Sequence, residues 1–290
     1  MVGGEEMKIS LKNDMVLVKV FNNNIILVKS SGREKILFEK GIGFGKKIGA
    51  VIKKGTEVEK IFIIENEQNI QNFNKVIERT DEKLLALFEE IIYDISEEID
   101  EELSENIHIG LVDHLSFAIK RLESKEEIQN PFLIEIETLY PLDFYLAEKA
   151  SRRIEKEIGV NIPDGEIGFI ALHIHSARNN GKLSNTVKYS YLGNLIIKYV
   201  EDELNIQVKR RSLDYARFLT HMRFAIERII TKNPIENDLR GIIKSKYKKS
   251  YKISEEIGKI LSKELNTEVS EDEIAYIAMH IERFKVSFDK

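Results

Sequence analysis

Two stretches of this 290-residue chain occur twice, at one constant offset of 107 positions in the numbering (114 to 221, and 166 to 273). His114-Leu-Ser-Phe-Ala-Ile-Lys-Arg121 returns as His221-Met-Arg-Phe-Ala-Ile-Glu-Arg228, and Glu166-Ile-Gly-Phe-Ile-Ala-Leu-His-Ile174 returns as Glu273-Ile-Ala-Tyr-Ile-Ala-Met-His-Ile281. The spacing between the paired histidines is therefore the same in each copy (114 to 173, and 221 to 280). Ile136 with Ile243, Tyr140 with Tyr247, Phe144 with Tyr251 and Ile154 with Leu261 keep the same register. A gap-free offset over such a span means one module written twice. The module is helical: Leu84, Leu85, Leu87, Phe88, Ile91, Ile92, Ile95 and Ile99 follow a helical period among charged neighbours. Pro163-Asp164-Gly165-Glu166 and Ser270-Glu271-Asp272-Glu273 supply helix-start chemistry in equivalent places. The two modules are expected over residues 73–180 and 181–290, after a polar linker at 65–72.

The segment 1–65 is unlike the rest. It carries 12 Lys/Arg against 8 Asp/Glu, whereas the remainder carries 32 against 41. Eight of the sixteen glycines fall at or before Gly55, and all four prolines come from Pro131 onward. Such a shift marks a boundary between unlike domains. Met15–Val20 and Ile25–Val28 are β-branched runs flanking Asn22-Asn23-Asn24, a hairpin signal because asparagine tolerates left-handed angles. Ser30-Ser31-Gly32 is a second turn, and further strands are expected at 35–38, 48–52 and 60–64. The fold class is thus multidomain: a small antiparallel β-sheet domain followed by two homologous all-α helical-bundle domains. A sheet of roughly 60 residues is marginal alone, and self-association is a common remedy.

Gly41-Ile-Gly-Phe-Gly-Lys-Lys47 has alternating glycines but neither the Gly-Lys-Ser/Thr nor the following helix of a nucleotide P-loop. It reads either as a glycine-rich β-turn with solvated lysines or as a nucleic-acid surface. In the second reading Gly41 and Gly45 allow close backbone approach, Phe44 stacks on a base, and Lys40, Lys46 and Lys47 neutralise phosphates. Asn22, Asn23 and Asn24 would reach base edges or 2′-hydroxyls, where the plainer account is turn chemistry alone.

Four of the six histidines, His114, His173, His221 and His280, occupy matched slots; His108 and His175 belong to the first copy only. A core histidine is the ordinary reading for one ring on an apolar helix, but matched pairs point to chemistry. With no cysteine there is no thiolate metal site or cysteine nucleophile. His173 and His175 stand about 200° apart around a helix, which does not suit one metal ion. Neither copy offers a glycine-flanked serine elbow or a matched carboxylate pair, so no catalytic residues, metal or cofactor are expected. No run of ~18 apolar residues and no signal-peptide core is present, which leads us to expect a soluble, cytoplasmic protein without membrane insertion.

These motifs, with Val20-Phe21-Asn22-Asn23-Asn24, Asn130-Pro131-Phe132-Leu133, His173-Ile174-His175-Ser176-Ala177 and His280-Ile-Glu-Arg283, resemble those of bacterial sugar-operon transcriptional antiterminators, most of all the glucose-operon type. Gly45 and Lys40 differ from the Gln and Arg of many β-glucoside and sucrose relatives, and the residues before Met7 have no counterpart, like a start-site extension. The resemblance implies a co-antiterminator RNA-binding domain at 1–66 and two phosphotransferase-system (PTS) regulation domains. It implies a homodimer that binds a leader-mRNA hairpin (the ribonucleic antiterminator) through Asn22, Asn23, Asn24, Lys40, Gly41, Phe44, Gly45, Lys46 and Lys47. Regulation would come from phosphorylation of His114, His173, His221 and His280 by a glucose-type enzyme II transporter and the phosphocarrier HPr. A dianion on His114 would be repelled by the adjacent Asp113 unless Arg121 turned toward it. The competing readings are a metal-dependent helical phosphohydrolase and a PTS-sensing dimerisation module that binds no RNA.

Overall fold

The computed structural model describes residues 8–286, so the extension before Met7 lies outside the described residues. The N-terminal domain holds a five-stranded antiparallel sheet in the order β5-β2-β3-β4-β7: β2 Met15–Val20, β3 Ile25–Ser30, β4 Arg33–Phe38, β5 Val51–Ile52 and β7 Lys60–Ile64. A two-stranded ladder pairs β1 Ile9–Ser10 with β6 Glu57–Val58. Ser31 (φ 52°) and Gly32 (φ 81°) form the β3–β4 turn, both left-handed, the twist that suits a two-residue hairpin. Met15 and Leu17 point inward with Ile26, Val28, Leu37, Ile42 and Ile52, while Val16 between them is exposed. The strand expected at 48–52 shrinks to Val51–Ile52, because Gly49 turns the chain at φ 87° and leaves Ile48 outside.

The expected linker is helical from Glu67. Helix α1 (Glu67–Arg79) starts at Asn66, whose side chain accepts from the Gln68 and Asn69 amides. Its apolar face, Phe73, Val76 and Ile77, begins only in the second turn, so the polar first turn hides the period. Helix α2 spans Glu82–Ile99, capped by Asp81.

The duplication holds helix for helix. Helices α3 (Asn106–Glu123), α4 (Leu133–Leu139), α5 (Pro141–Ile158) and α6 (Asp164–Arg178) are followed by α7 (Leu183–Leu204), and then by α8 (Leu213–Thr231), α9 (Arg240–Lys246), α10 (Lys248–Leu265) and α11 (Glu271–Val286). The starts of α8 to α11 repeat those of α3 to α6 at the offset of the sequence repeat (106 to 213, 133 to 240, 141 to 248, 164 to 271). Packing divides the chain differently. One compact unit comprises residues up to 129 with 145–181, and the other comprises 130–144 with 182–290. In the second unit Ile134 and Leu139 of α4 pack on the core of Leu192, Ile196, Phe218 and Met222, and the Tyr215 hydroxyl donates to buried Glu135 at 2.5 Å. Among the described residues no helix is long and apolar enough to cross a membrane.

Candidate RNA interface and histidine sites

The two loops of the sheet domain are stitched together. The Asn22 side-chain oxygen accepts from the Asn24 and Ile25 amides (2.8 and 2.9 Å), closing an Asx turn. Asn24 Oδ1 accepts from the Gly41 amide at 3.0 Å, and the Gly43 amide donates to the Asn23 carbonyl at 2.9 Å. Gly43 sits so close that a Cβ there would meet the Asn22 carbonyl at 2.3 Å. This packing leaves Asn23, Asn24, Lys40, Gly41, Gly45, Lys46 and Lys47 exposed, and Phe44 is 76% exposed. A single exposed ring is common on protein surfaces, but one set among lysines offers a stacking face beside positive charge. Asn22 differs from its neighbours, because its amide nitrogen already donates to Glu90 Oε1 on α2 at 2.6 Å.

In each helical copy the matched histidines meet. The rings of His114 on α3 and His173 on α6 lie 5.2 Å apart, and those of His221 on α8 and His280 on α11 stack at 3.8 Å. Burial and the neighbouring His114 push His173 down to about 3; burial, His221, Arg283 and Arg228 push His280 down to about 4. Burial and Arg283 also lower His221. These rings are neutral at physiological pH and keep a lone pair for nucleophilic attack.

The description "PRD domain" matches residues 89–177 and 194–284, and "CAT RNA binding domain" matches residues 15–71. The chain belongs to the CAT–PRD antiterminator family. It is similar to the protein GlcT of Staphylococcus saprophyticus, 30% identical over 274 residues that span 94% of this chain and 98% of that one. GlcT of Staphylococcus aureus is 33% identical over 278 residues, spanning 94% and 97%. The solved structure titled "Crystal structure of GlcT CAT-PRDI" is 42% identical, covers 58% of this chain and all of its own, and superimposes with a TM-score of 0.50. Proteins of this family are regulators that act through RNA, not enzymes.

Each PRD adds a buried acid–base pair that the sequence motifs did not single out. In the first PRD, Arg121 donates to Glu166 Oε1 at 2.7 Å, and Glu166 Oε2 lies 3.1 Å from His114 Nε2, both of these atoms shut off from solvent and out of hydrogen-bond alignment. Burial alone opposes ionisation of Glu166, yet His114 and Arg121 hold its carboxyl below the usual range. In the second PRD, Arg228 takes both oxygens of Glu273 (2.6 and 2.7 Å), and His221 Nδ1 instead meets the Tyr276 hydroxyl at 3.1 Å. The Arg–Glu spacing is the same in both copies (121 to 166, and 228 to 273), which was the available signal. The carboxylate against His114 is therefore Glu166; Asp113, expected in that role from adjacency, is instead paired with Arg79 of α1.

The two unmatched histidines are separate from these pairs. His108 is buried, with Nδ1 2.7 Å from Glu89 Oε2 and its ring against Phe62 of the CAT domain. His175 meets Asn179 at the end of α6. Among the described residues no group of three or more His, Asp or Glu side chains is arranged to hold a metal ion.

Proposed function

We propose that this antiterminator binds a hairpin in leader mRNA as a homodimer through the CAT loops, holding off an overlapping terminator, and that PTS phosphoryl transfer to the PRD histidines sets its activity. The observation that carries the regulatory half is the matched pairing of imidazoles in both PRDs, with burial lowering His173 and His280. The exposed Phe44 beside Lys40, Lys46 and Lys47, on a loop stitched to Asn23 and Asn24, supports the RNA half.

The chemistry is phosphoryl transfer to histidine. An imidazole lone pair attacks phosphorus, the bond from phosphorus to the donor atom breaks with its electron pair leaving on the donor, and the acceptor gains roughly −1.5 to −2 charges, as other phosphorylated side chains do. On His114 that charge would face Glu166. One unit pair at 4 Å repels by ~4 kcal/mol at an effective dielectric of 20, enough to change local packing. The donors are a glucose-type enzyme II transporter and HPr, and the setting is the cytoplasm.

The test combines titration of the full chain with a leader hairpin and labelling by purified transport proteins. Hairpin binding that falls after labelling, with loss of both effects in the His114→Ala, His173→Ala double variant, is the expected result. Equal labelling and inactivation of that variant would place the signal elsewhere.

A further inference from the structure

The two PRDs are not equivalent around their histidines. In the second, His221 and His280 line a surface pocket together with Asp214, Arg217 and Arg283. In the first, the residues equivalent to the two arginines are Gly110 and Ser176, so that module has no cation at either place. Gly110 instead lets His173 come close: a Cβ there would meet His173 Nδ1 at 3.2 Å. The carboxylates differ in the same sense. Glu166 is shared between Arg121 and His114, whereas Glu273 gives both oxygens to Arg228 and none to its histidines.

We propose that the second PRD contains a built phosphoryl pocket, in which Arg217 and Arg283 hold a phosphoryl group carried on the His221–His280 pair, while the first PRD lacks this support and covers His114 with Glu166. Arginine is suited to the task because its planar fork meets phosphoryl oxygens with two parallel hydrogen bonds. Arg217 has Asp214 3.8 Å away, an exposed pair one turn apart that is screened and easily exchanged for a better anion. Two cations balance the dianion that the new group brings, so the module keeps its packing when modified. In the first PRD the same dianion meets a carboxylate, and the packing must open. Burial, with the charge of Arg283 as a lesser cause, lowers both His221 and His280 and so favours the neutral, nucleophilic rings. The transfer needs no oxidant or second substrate: one N–P bond forms on the acceptor ring, and one breaks on the donor with its electron pair.

This inference rests on the phosphoryl-acceptor reading above, and the experiment separates the two. The full chain is treated with phosphoramidate, whose P–N bond breaks with release of ammonia, and phosphohistidine in each PRD is quantified by mass spectrometry. Wild type is expected to label on His221 or His280 faster and to keep that label longer than on His114 or His173. The Arg217→Gln, Arg283→Gln double variant is expected to lose about tenfold of the second-PRD labelling rate with first-PRD labelling unchanged, and the double Lys variant to recover part of it. Unchanged thermal unfolding of the Gln variant separates this from misfolding. Equal second-PRD labelling in wild type and the Gln variant would overturn the pocket while leaving the acceptor reading intact. No labelling in either PRD would overturn both. Protection of the wild type by inorganic phosphate, without covalent label on the pair, would overturn the proposal in favour of a site for the free anion.

Discussion

The amide nitrogen of Asn22 in the CAT hairpin loop donates to Glu90 Oε1 on helix α2 of the first PRD at 2.6 Å. Two further contacts run along the same helix: Lys19 to Glu82 at 3.1 Å and Lys60 to Glu97 at 2.9 Å. An acidic helix thus engages polar and basic groups of the sheet domain, and under the RNA-binding reading proposed above it would compete with RNA for Asn22. Glu90→Ala is expected to free the Asn22 amide and tighten hairpin binding by about three- to tenfold, the net worth of one ordinary hydrogen bond. Asn22→Ala is expected to weaken it. A fluorescence titration decides, and weaker binding by Glu90→Ala would show that the contact supports the loop instead of competing for it.

Phe44 and Lys46 are expected to fail in different ways. Phe44→Ala is expected to lose the proposed base stacking, worth ~1–3 kcal/mol per base, at all salt concentrations. Lys46→Ala, if Lys46 contacts phosphate as proposed, is expected to lower the slope of log affinity against log salt by about 1. Titrations across a salt series separate them; identical slopes for Lys46→Ala and wild type would remove Lys46 from the RNA surface.

Gly43 and Gly45 test the loop itself. A Cβ at Gly43 lands 2.3 Å from the Asn22 carbonyl, so Gly43→Ala must push two stitched loops apart and is expected to cost about 2 kcal/mol or more. Gly45 has open space but a φ of 65°, so Gly45→Ala is expected to cost only about 1 kcal/mol in backbone strain. Denaturant unfolding of the two variants should rank them in that order.

Acid should destabilise the PRDs through their buried imidazoles. In the unfolded chain these rings bind protons from about pH 6.5 downward. In the folded chain His173 stays neutral to about 3 and His280 to about 4. Within that window the unfolded state carries more protons, so stability falls as pH falls, and above neutrality the rings add no slope. The expected loss is about 1–2 kcal/mol per ring between pH 7 and 5. Urea midpoints measured across that range should fall less steeply for the His173→Gln, His280→Gln double variant than for wild type.

Much of this architecture could be read from residues alone. The constant offset of the repeat aligned the equivalent helices and paired His114 with His173 and His221 with His280, and the rings do meet. Helix α1 escaped because its first turn is Asn and Gln around one Ile, which carries no period. Glu166 was visible in the repeated motif but passed for a helix-start acid. Its use against His114 depends on a crossing of α3 and α6 that spacing does not encode. Arg217 and Arg283 stand where the two copies disagree, opposite Gly110 and Ser176; Arg283 closes the motif His280-Ile-Glu-Arg283, but nothing in its spacing shows that it shares a pocket with Arg217.

Helix α4 is encoded with the first copy, yet its apolar face is buried with α7 and α8. Truncation therefore has an asymmetric outcome. A chain cut after residue 181 retains Ile134, Glu135 and Leu139 but loses the Tyr215 hydroxyl and the apolar wall that cover them. Such a fragment must refold that segment onto itself, trade it with another copy, or leave a carboxylate and two aliphatic side chains in water. Conversely, a chain beginning at residue 182 has a bare groove where α4 belongs. Phosphorylation or RNA affinity measured on either piece reports a molecule with a repaired or unrepaired wound, so the natural unit for those measurements is the uncut chain.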